Sequence, residues 1–166
     1  MTTVEEALKG IESRLPNPAK LVPELGQVSG ALAAVAGNGS VPRTTIGLVQ
    51  LRVGQIFGST YLVLLHSGNL REAGEAEERI AAVASWQDSP HFTDSERVAL
   101  ALAEAVFTPN PGGQRVPDAL YTEASIHYDD KALATLIMAI GQVAFYVPLA
   151  VIGQPVPGVP FPVQWR

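Results

Sequence analysis

Apolar and small residues recur along this chain at three- and four-residue intervals, and no stretch sustains a period of two. That pattern predicts helices throughout and no sheet. Thr3 and Glu6 make a capping box ahead of an amphipathic run ending near Leu15. Pro16 and Pro18 break the chain, and a second helix is expected over 19–36, stopped by Gly37, Asn38 and Gly39. Ser40 is placed to cap a third helix over 41–57, with Pro42 in its first turn. Gly58 separates it from a fourth helix over 59–73, and a short fifth is expected over 75–86. A second capping box, Thr93 with Glu96, opens a helix to about Phe107. After a Pro/Gly loop over 108–113, Pro117 starts another helix, and Asp129 or Asp130 caps the long last one. The tail holds Pro155, Pro157, Pro160 and Pro162, so it is not expected to be helical. Phe161 and Trp165 do not suit a solvated linker, and the tail reads as an extended arm on its own or a neighbouring subunit.

Composition sharpens this picture. The chain has 166 residues, enough for one domain, of which 47% are hydrophobic and only 16% charged. No Asp, Glu, Lys or Arg occurs over 25–42, 53–70 or 132–165. Disorder is excluded by this hydrophobicity. Net charge is −5, pI about 5.1, and no Lys/Arg cluster exists to neutralise phosphates, which excludes a basic nucleic-acid binder. With no cysteine, disulfides, thiolate metal sites and thiol chemistry are excluded. Three scattered histidines without His-x-x-x-His spacing give no metal-site signal, and no cofactor is implied. The acidic opening lacks the basic and apolar regions of a secretory leader, so a cytoplasmic location is expected. The 132–153 run is long enough to span a membrane. Gln142 and Pro148 interrupt it, and no Lys/Arg asymmetry flanks it, so a buried core or interface helix is expected instead.

The stretch from Leu48 through Arg52, Gly54, Gly58, Ser59 and Tyr61 to His66 and Ser67, followed by Leu70-Arg-Glu-Ala-Gly-Glu75, resembles the alkylhydroperoxidase D-like / carboxymuconolactone decarboxylase family. Residues 82–86, Pro90, Phe92, 93–97, 102–105, 116–121 and 149–151 continue the match in the family's order. The resemblance covers roughly 41–152. It divides one domain into N-terminal helices over 1–40, a helical core over 41–152 and a Pro-rich arm over 153–166. It implies an all-α fold forming homo-oligomers, trimers or hexamers. The family's peroxidase chemistry uses a helix-opening Cys-x-x-Cys, a His seven residues after the first Cys and a Glu twelve before it. Here those positions hold Ser59, Leu62, His66 and Gly47, so only His66 matches. Serine cannot cycle through sulfenic acid, and peroxide reduction by this motif is not expected. A group on the family's last helix maps to Ala144, Tyr146, Val147 and Pro148, also altered.

His66 lies in a charge-free helix and reads two ways. In a pocket it could be a general acid or base; in the core it would be a hydrogen-bonded structural residue. A Ser59–His66 nucleophile pair fails, because seven residues of helix rise about 10 Å. Ser59 suits a helix N-terminus, whose free amides could also hold an oxyanion. Gly47, Gly54 and Gly58 share a narrow arc of one helix; they signal close packing or, at Gly47, added space for a small apolar ligand. Glu104 lies off the stripe formed by Val98, Leu102, Ala105 and Val106. It is either solvated or, if it faces the pocket, the carboxylate partner of His66. Gln50, Tyr61, Leu62, Gln142 and Tyr146 fall at family-site positions as substrate-binding candidates. His91 and His127 read as surface residues. Two functions remain. One is a non-redox decarboxylase, isomerase or cyclase acting through His66 on a small apolar, carboxylate or lactone substrate. The other is a non-catalytic oligomer that binds small molecules or serves as a scaffold.

Overall fold

The computed structural model describes residues 3, 6–7 and 9–165. Among these residues there are eight α-helices and no strand. They are α1 (Pro18–Leu21), α2 (Glu24–Ala36), α3 (Arg43–Ile56), α4 (Thr60–Glu72), α5 (Glu77–Ala82), α6 (Asp94–Phe107), α7 (Asp118–His127) and α8 (Asp130–Ile152). Short 3₁₀ turns occur at Val83–Ser85 and Phe161–Val163.

Local chemistry explains most of the boundaries. Thr93 and Glu96 close their box reciprocally, and the Asp129 side chain accepts from Ala132 N at 2.8 Å. Gly58 and Gly74 end their turns at φ 63° and 84°, a region other residues avoid. Three expectations shift. The Thr3–Glu6 box forms (Thr3 N to Glu6 Oε2, 2.9 Å), but Gly10 turns at φ 84° and no helix runs on to Leu15. Val4, Glu5 and Leu8 of that expected helix lie outside the described residues. The single helix over 19–36 is split into α1 and α2 at Val22 and Pro23, because proline withholds the amide that would continue it. Ser40 does not cap α3. Its hydroxyl instead bonds Asn38 and Thr135, the latter on α8 at 2.9 Å.

α3 is the central element and packs against α4, α6 and α8. It is buried on two sides. Ile46, Val49 and Val53 join a core with Val98, Leu102, Leu136 and Val143, while Leu48 and Leu51 join a second with Leu70, Val83, Trp86 and Leu100. α6 is likewise two-sided. Ala99, Leu100 and Ala103 are fully buried, whereas Ala105 and Val106 of the expected stripe are half-buried. α3 and α4 meet closely at Gly54, where an added Cβ would stand 3.2 Å from the Leu62 Cβ.

α8 is long and apolar enough to cross a membrane, but a third of its most apolar window is buried within the molecule. Its remaining face exposes Ile137, Met138, Phe145, Val151 and Ile152. The chain leaves α8 at Gly153, where an added Cβ would come within 2.7 Å of the Leu149 carbonyl oxygen. The arm then folds back along its own chain. Val156 and Gln164 are buried, and the 3₁₀ turn at 161–163 replaces the fully extended path that the prolines suggested.

Candidate functional site

α4 carries His66 at its middle, one turn beyond Leu62, and both side chains are buried. Beside them lies a cavity of about 390 Å³, enclosed by α2, α4, α8 and the arm. α2 supplies Leu25, Gly26 and Ser29; α4 supplies Tyr61, Leu62, Leu65 and His66; α8 supplies Val143, Tyr146 and Leu149. Phe161 and Trp165 from the arm complete the wall, packed edge to face with ring centroids 5.4 Å apart. Among the described residues, no Asp, Glu, Lys or Arg lines it.

Most polar groups in the wall satisfy one another. The Tyr146 hydroxyl pairs with the Ser29 hydroxyl at 2.6 Å, and Gln50 Nε2 donates to Gln142 Oε1 at 3.0 Å. Gln164 Nε2 donates to the Tyr61 hydroxyl oxygen at 3.0 Å, latching the arm to α4. Burial raises the Tyr61 pKa, partly opposed by the Gln164 bond, so the phenol stays neutral at ordinary pH. Two lining groups stand apart. His66 Nδ1 and Trp165 Nε1 are both buried and have no hydrogen-bond partner. Native proteins rarely leave such groups unmet, since each costs about 1–3 kcal/mol.

His66 is 8% exposed, and burial lowers its pKa to about 4. The imidazole is therefore neutral at pH 7. Unfolding returns it to its ordinary value of 6.5. Between those values the unfolded chain binds a proton that the folded chain does not, so stability falls as pH drops, by up to about 1.4 kcal/mol per pH unit. The contribution is complete above pH 6.5 and gone below about 4. His66→Gln should remove this slope. The stability gap between the two proteins, read by urea unfolding, should change between about pH 7 and about pH 5 in the wild type's disfavour. A constant gap would contradict a buried neutral imidazole.

The structure thus gathers His66, Gln50, Tyr61, Leu62, Gln142 and Tyr146 around one cavity. It does not bring the other three candidates there. Ser59 caps α4, its hydroxyl accepting from Leu62 N at 3.3 Å, and is absent from the wall. Gly47 borders a second cavity of about 620 Å³, which shares Gln50, Asn69 and Gln142 with the first. It adds no room for a ligand, because the Leu70 Cδ2 lies 2.6 Å from where its Cβ would be. Glu104 is neither solvated nor turned toward His66. Its carboxylate is held by Arg52 at 2.5 Å, by the Trp86 indole N–H at 2.9 Å and by Gln87 at 3.0 Å, on the other side of α3. Sequence reasoning misses Ser29, Phe161 and Trp165 as site residues. The aromatic residues of the Pro-rich tail are the one signal for the last two.

The sequence model of the carboxymuconolactone decarboxylase family matches residues 23–105. Over 104 residues the chain is 35% identical to the uncharacterized protein YdfG of Bacillus subtilis (strain 168), covering 63% of this chain and 69% of that one. It is 37% identical over 94 residues to the uncharacterized protein YnjA of Escherichia coli (strain K12), covering 57% of this chain and half of that one. Among solved structures, a protein of unknown function from Agrobacterium tumefaciens, provisionally an AhpD antioxidant defence protein, superposes with a TM-score of 0.77 at 25% identity. The match covers 90% of this chain and 100% of that one. The debrominase Bmp8 in complex with 2,3,4-tribromopyrrole superposes with a TM-score of 0.72 over 84% of this chain and 75% of its own. At 19% identity that likeness concerns the fold alone.

Proposed function

Since the chain belongs to the carboxymuconolactone decarboxylase family yet carries no cysteine, we propose that it is a non-redox enzyme of the isomerase or lyase type. In this reading His66 moves a proton on a small, largely apolar substrate held in the cavity. The observation that carries it is His66 itself, more than nine-tenths buried in the cavity wall with Nδ1 unpartnered. A histidine held only for structure would have its buried ring nitrogen satisfied.

The chemistry is a proton transfer. The neutral imidazole takes a proton from a carbon next to a substrate carbonyl, and the C–H electron pair moves toward the carbonyl oxygen. The imidazolium, whose N–H hydrogens exchange with solvent, then returns a proton to the same or another carbon, so no oxidant or second substrate is consumed. A pKa of about 4 makes the free imidazole a weak base. The negative charge developing on the substrate offsets this, because opposite charges in a low-dielectric site stabilise each other strongly. The apolar wall keeps the developing charge away from bulk water, which strengthens its attraction to the imidazolium. That a structural neighbour holds a small halogenated pyrrole supports a small-molecule site in this fold.

The test is solvent exchange. The protein is incubated in D₂O with a panel of small enolisable ketones, esters and lactones, and deuterium entering carbon is read by NMR. Enzyme-dependent exchange into at least one compound is expected; none across the panel favours the purely binding role. The same reading carries a homo-oligomer joined through the uncharged outer face of α8, where Ile137, Met138 and Phe145 stand exposed. Light scattering should then return a multiple of 17.6 kDa, and a monomer would remove that part.

A further inference from the structure

Resting on that reading of the cavity as the substrate site, we propose that its ligand is an electrically neutral aromatic or cyclic molecule bearing one hydroxyl or carbonyl oxygen. Carboxylates are excluded. This narrows the substrate range left open by sequence, which included carboxylic acids.

Charge supports the first half. Among the described residues no cationic side chain lines the cavity, and the histidine in its wall is uncharged at pH 7. A carboxylate moved there would leave water for a wall of aliphatic and aromatic groups with nothing to pair it. The first turns of α2 and α4 do reach the wall, but their amides there are already engaged: Leu25 N donates to Val22 O, Gly26 N to Pro23 O and Leu62 N to Ser59 Oγ, which leaves none of the three free for an anion. Among its described residues, the arm contributes only uncharged groups to the cavity.

The hydrogen-bond inventory supports the second half. Tyr61, Tyr146, Ser29, Gln50 and Gln142 have their main polar atoms engaged with each other or with Gln164. Asn69, also in the wall, is exposed, and the buried wall atoms left without a partner are one obligate donor, Trp165 N–H, and one imidazole nitrogen, His66 Nδ1. An oxygen accepts from the indole. If it belongs to a hydroxyl it can also donate to the imidazole; if it belongs to a carbonyl, the imidazole is left beside the adjacent carbon. Either suits proton transfer, and neither needs a charge. At about 390 Å³ the cavity lies near the small end of ligand pockets, which run about 300–1,000 Å³, so one or two fused rings fit. Trp165 therefore acts as a specificity residue delivered by the arm.

The test uses three molecules of one shape on the full-length protein: 2-naphthol, naphthalene and 2-naphthoate, titrated calorimetrically at pH 7. Expected is saturable binding of 2-naphthol, roughly three- to tenfold weaker binding of naphthalene, and 2-naphthoate weaker than 2-naphthol by about tenfold or more. Trp165→Phe keeps the aromatic wall and should erase the advantage of naphthol over naphthalene. Naphthoate binding as tightly as naphthol overturns the proposal, as does failure of all three to bind. So does an unchanged naphthol advantage in Trp165→Phe. None of these readings requires turnover. Naphthoate preference with His66-dependent exchange would defeat the ligand class alone. Naphthol preference with exchange indifferent to His66 would defeat the proton-transfer role alone.

Discussion

His66→Gln should lower enzyme-catalysed proton exchange by about 10²- to 10⁴-fold, the usual worth of a positioned general base. Glutamine preserves much of the side chain's bulk and can still fill the wall beside Leu62, so the helix content should be unchanged. The loss should fall on kcat, because the residue acts on the proton in flight and contributes little to holding an apolar ligand. Binding of 2-naphthol should change only a few-fold. A variant that keeps its exchange rate would show that His66 is a core residue with an unmet nitrogen and nothing more. A variant that loses binding and rate together would place His66 among the binding groups.

Glu104→Ala should destabilise the fold by about 3 kcal/mol while leaving ligand binding intact. One carboxylate gathers three donors there: the Arg52 guanidinium, the Trp86 indole and the Gln87 amide. Trp86 is buried, and Arg52 is only 18% exposed, so neither donor can turn fully to water when the carboxylate goes. Arg52 sits on α3, Glu104 on α6 and Trp86 after the 3₁₀ turn, so three elements lose a common tie. Glu104→Gln keeps one acceptor oxygen and should cost about half as much. Urea unfolding measures both. In a chain of this size the alanine variant should melt on the order of 10 °C lower. Loss of ligand binding without loss of stability would instead return Glu104 to the site.

How far the sequence could carry this is clearest at single residues. Asp129, and Thr93 with Glu96, mark their helix starts, because capping is decided within four residues. The all-helical class follows from periodicity and punctuation. Pro23 is legible as a breaker, yet the apolar run around it masks the split between α1 and α2. His66 and Leu62 can be placed because the family pattern fixes their spacing on one helix face. Glu104 is misplaced from sequence because α6 is buried on two sides, so its position relative to one apolar stripe says little. Gly47 cannot reveal that Leu70, on the next helix, fills the space of its missing side chain. The contribution of Trp165 depends on the arm returning over α4, a contact between residues 103 apart at Gln164 and Tyr61. Such long-range placements leave no local trace.

The charge-poor stretches end with a common location. Residues 25–42 include the α2 wall of the cavity, 53–70 include His66, and 132–165 include the α8 wall and the arm. A neutral site beside an unpartnered neutral histidine is what they build. The most direct measurement is a long-range ¹H–¹⁵N NMR spectrum of the histidine rings at pH 7, recorded with and without 2-naphthol. The expected result is an uncharged His66 ring whose nitrogen resonances move as the ligand saturates, while those of His91 and His127 stay in place. A protonated His66 ring, or saturation that leaves its resonances unmoved, would contradict it.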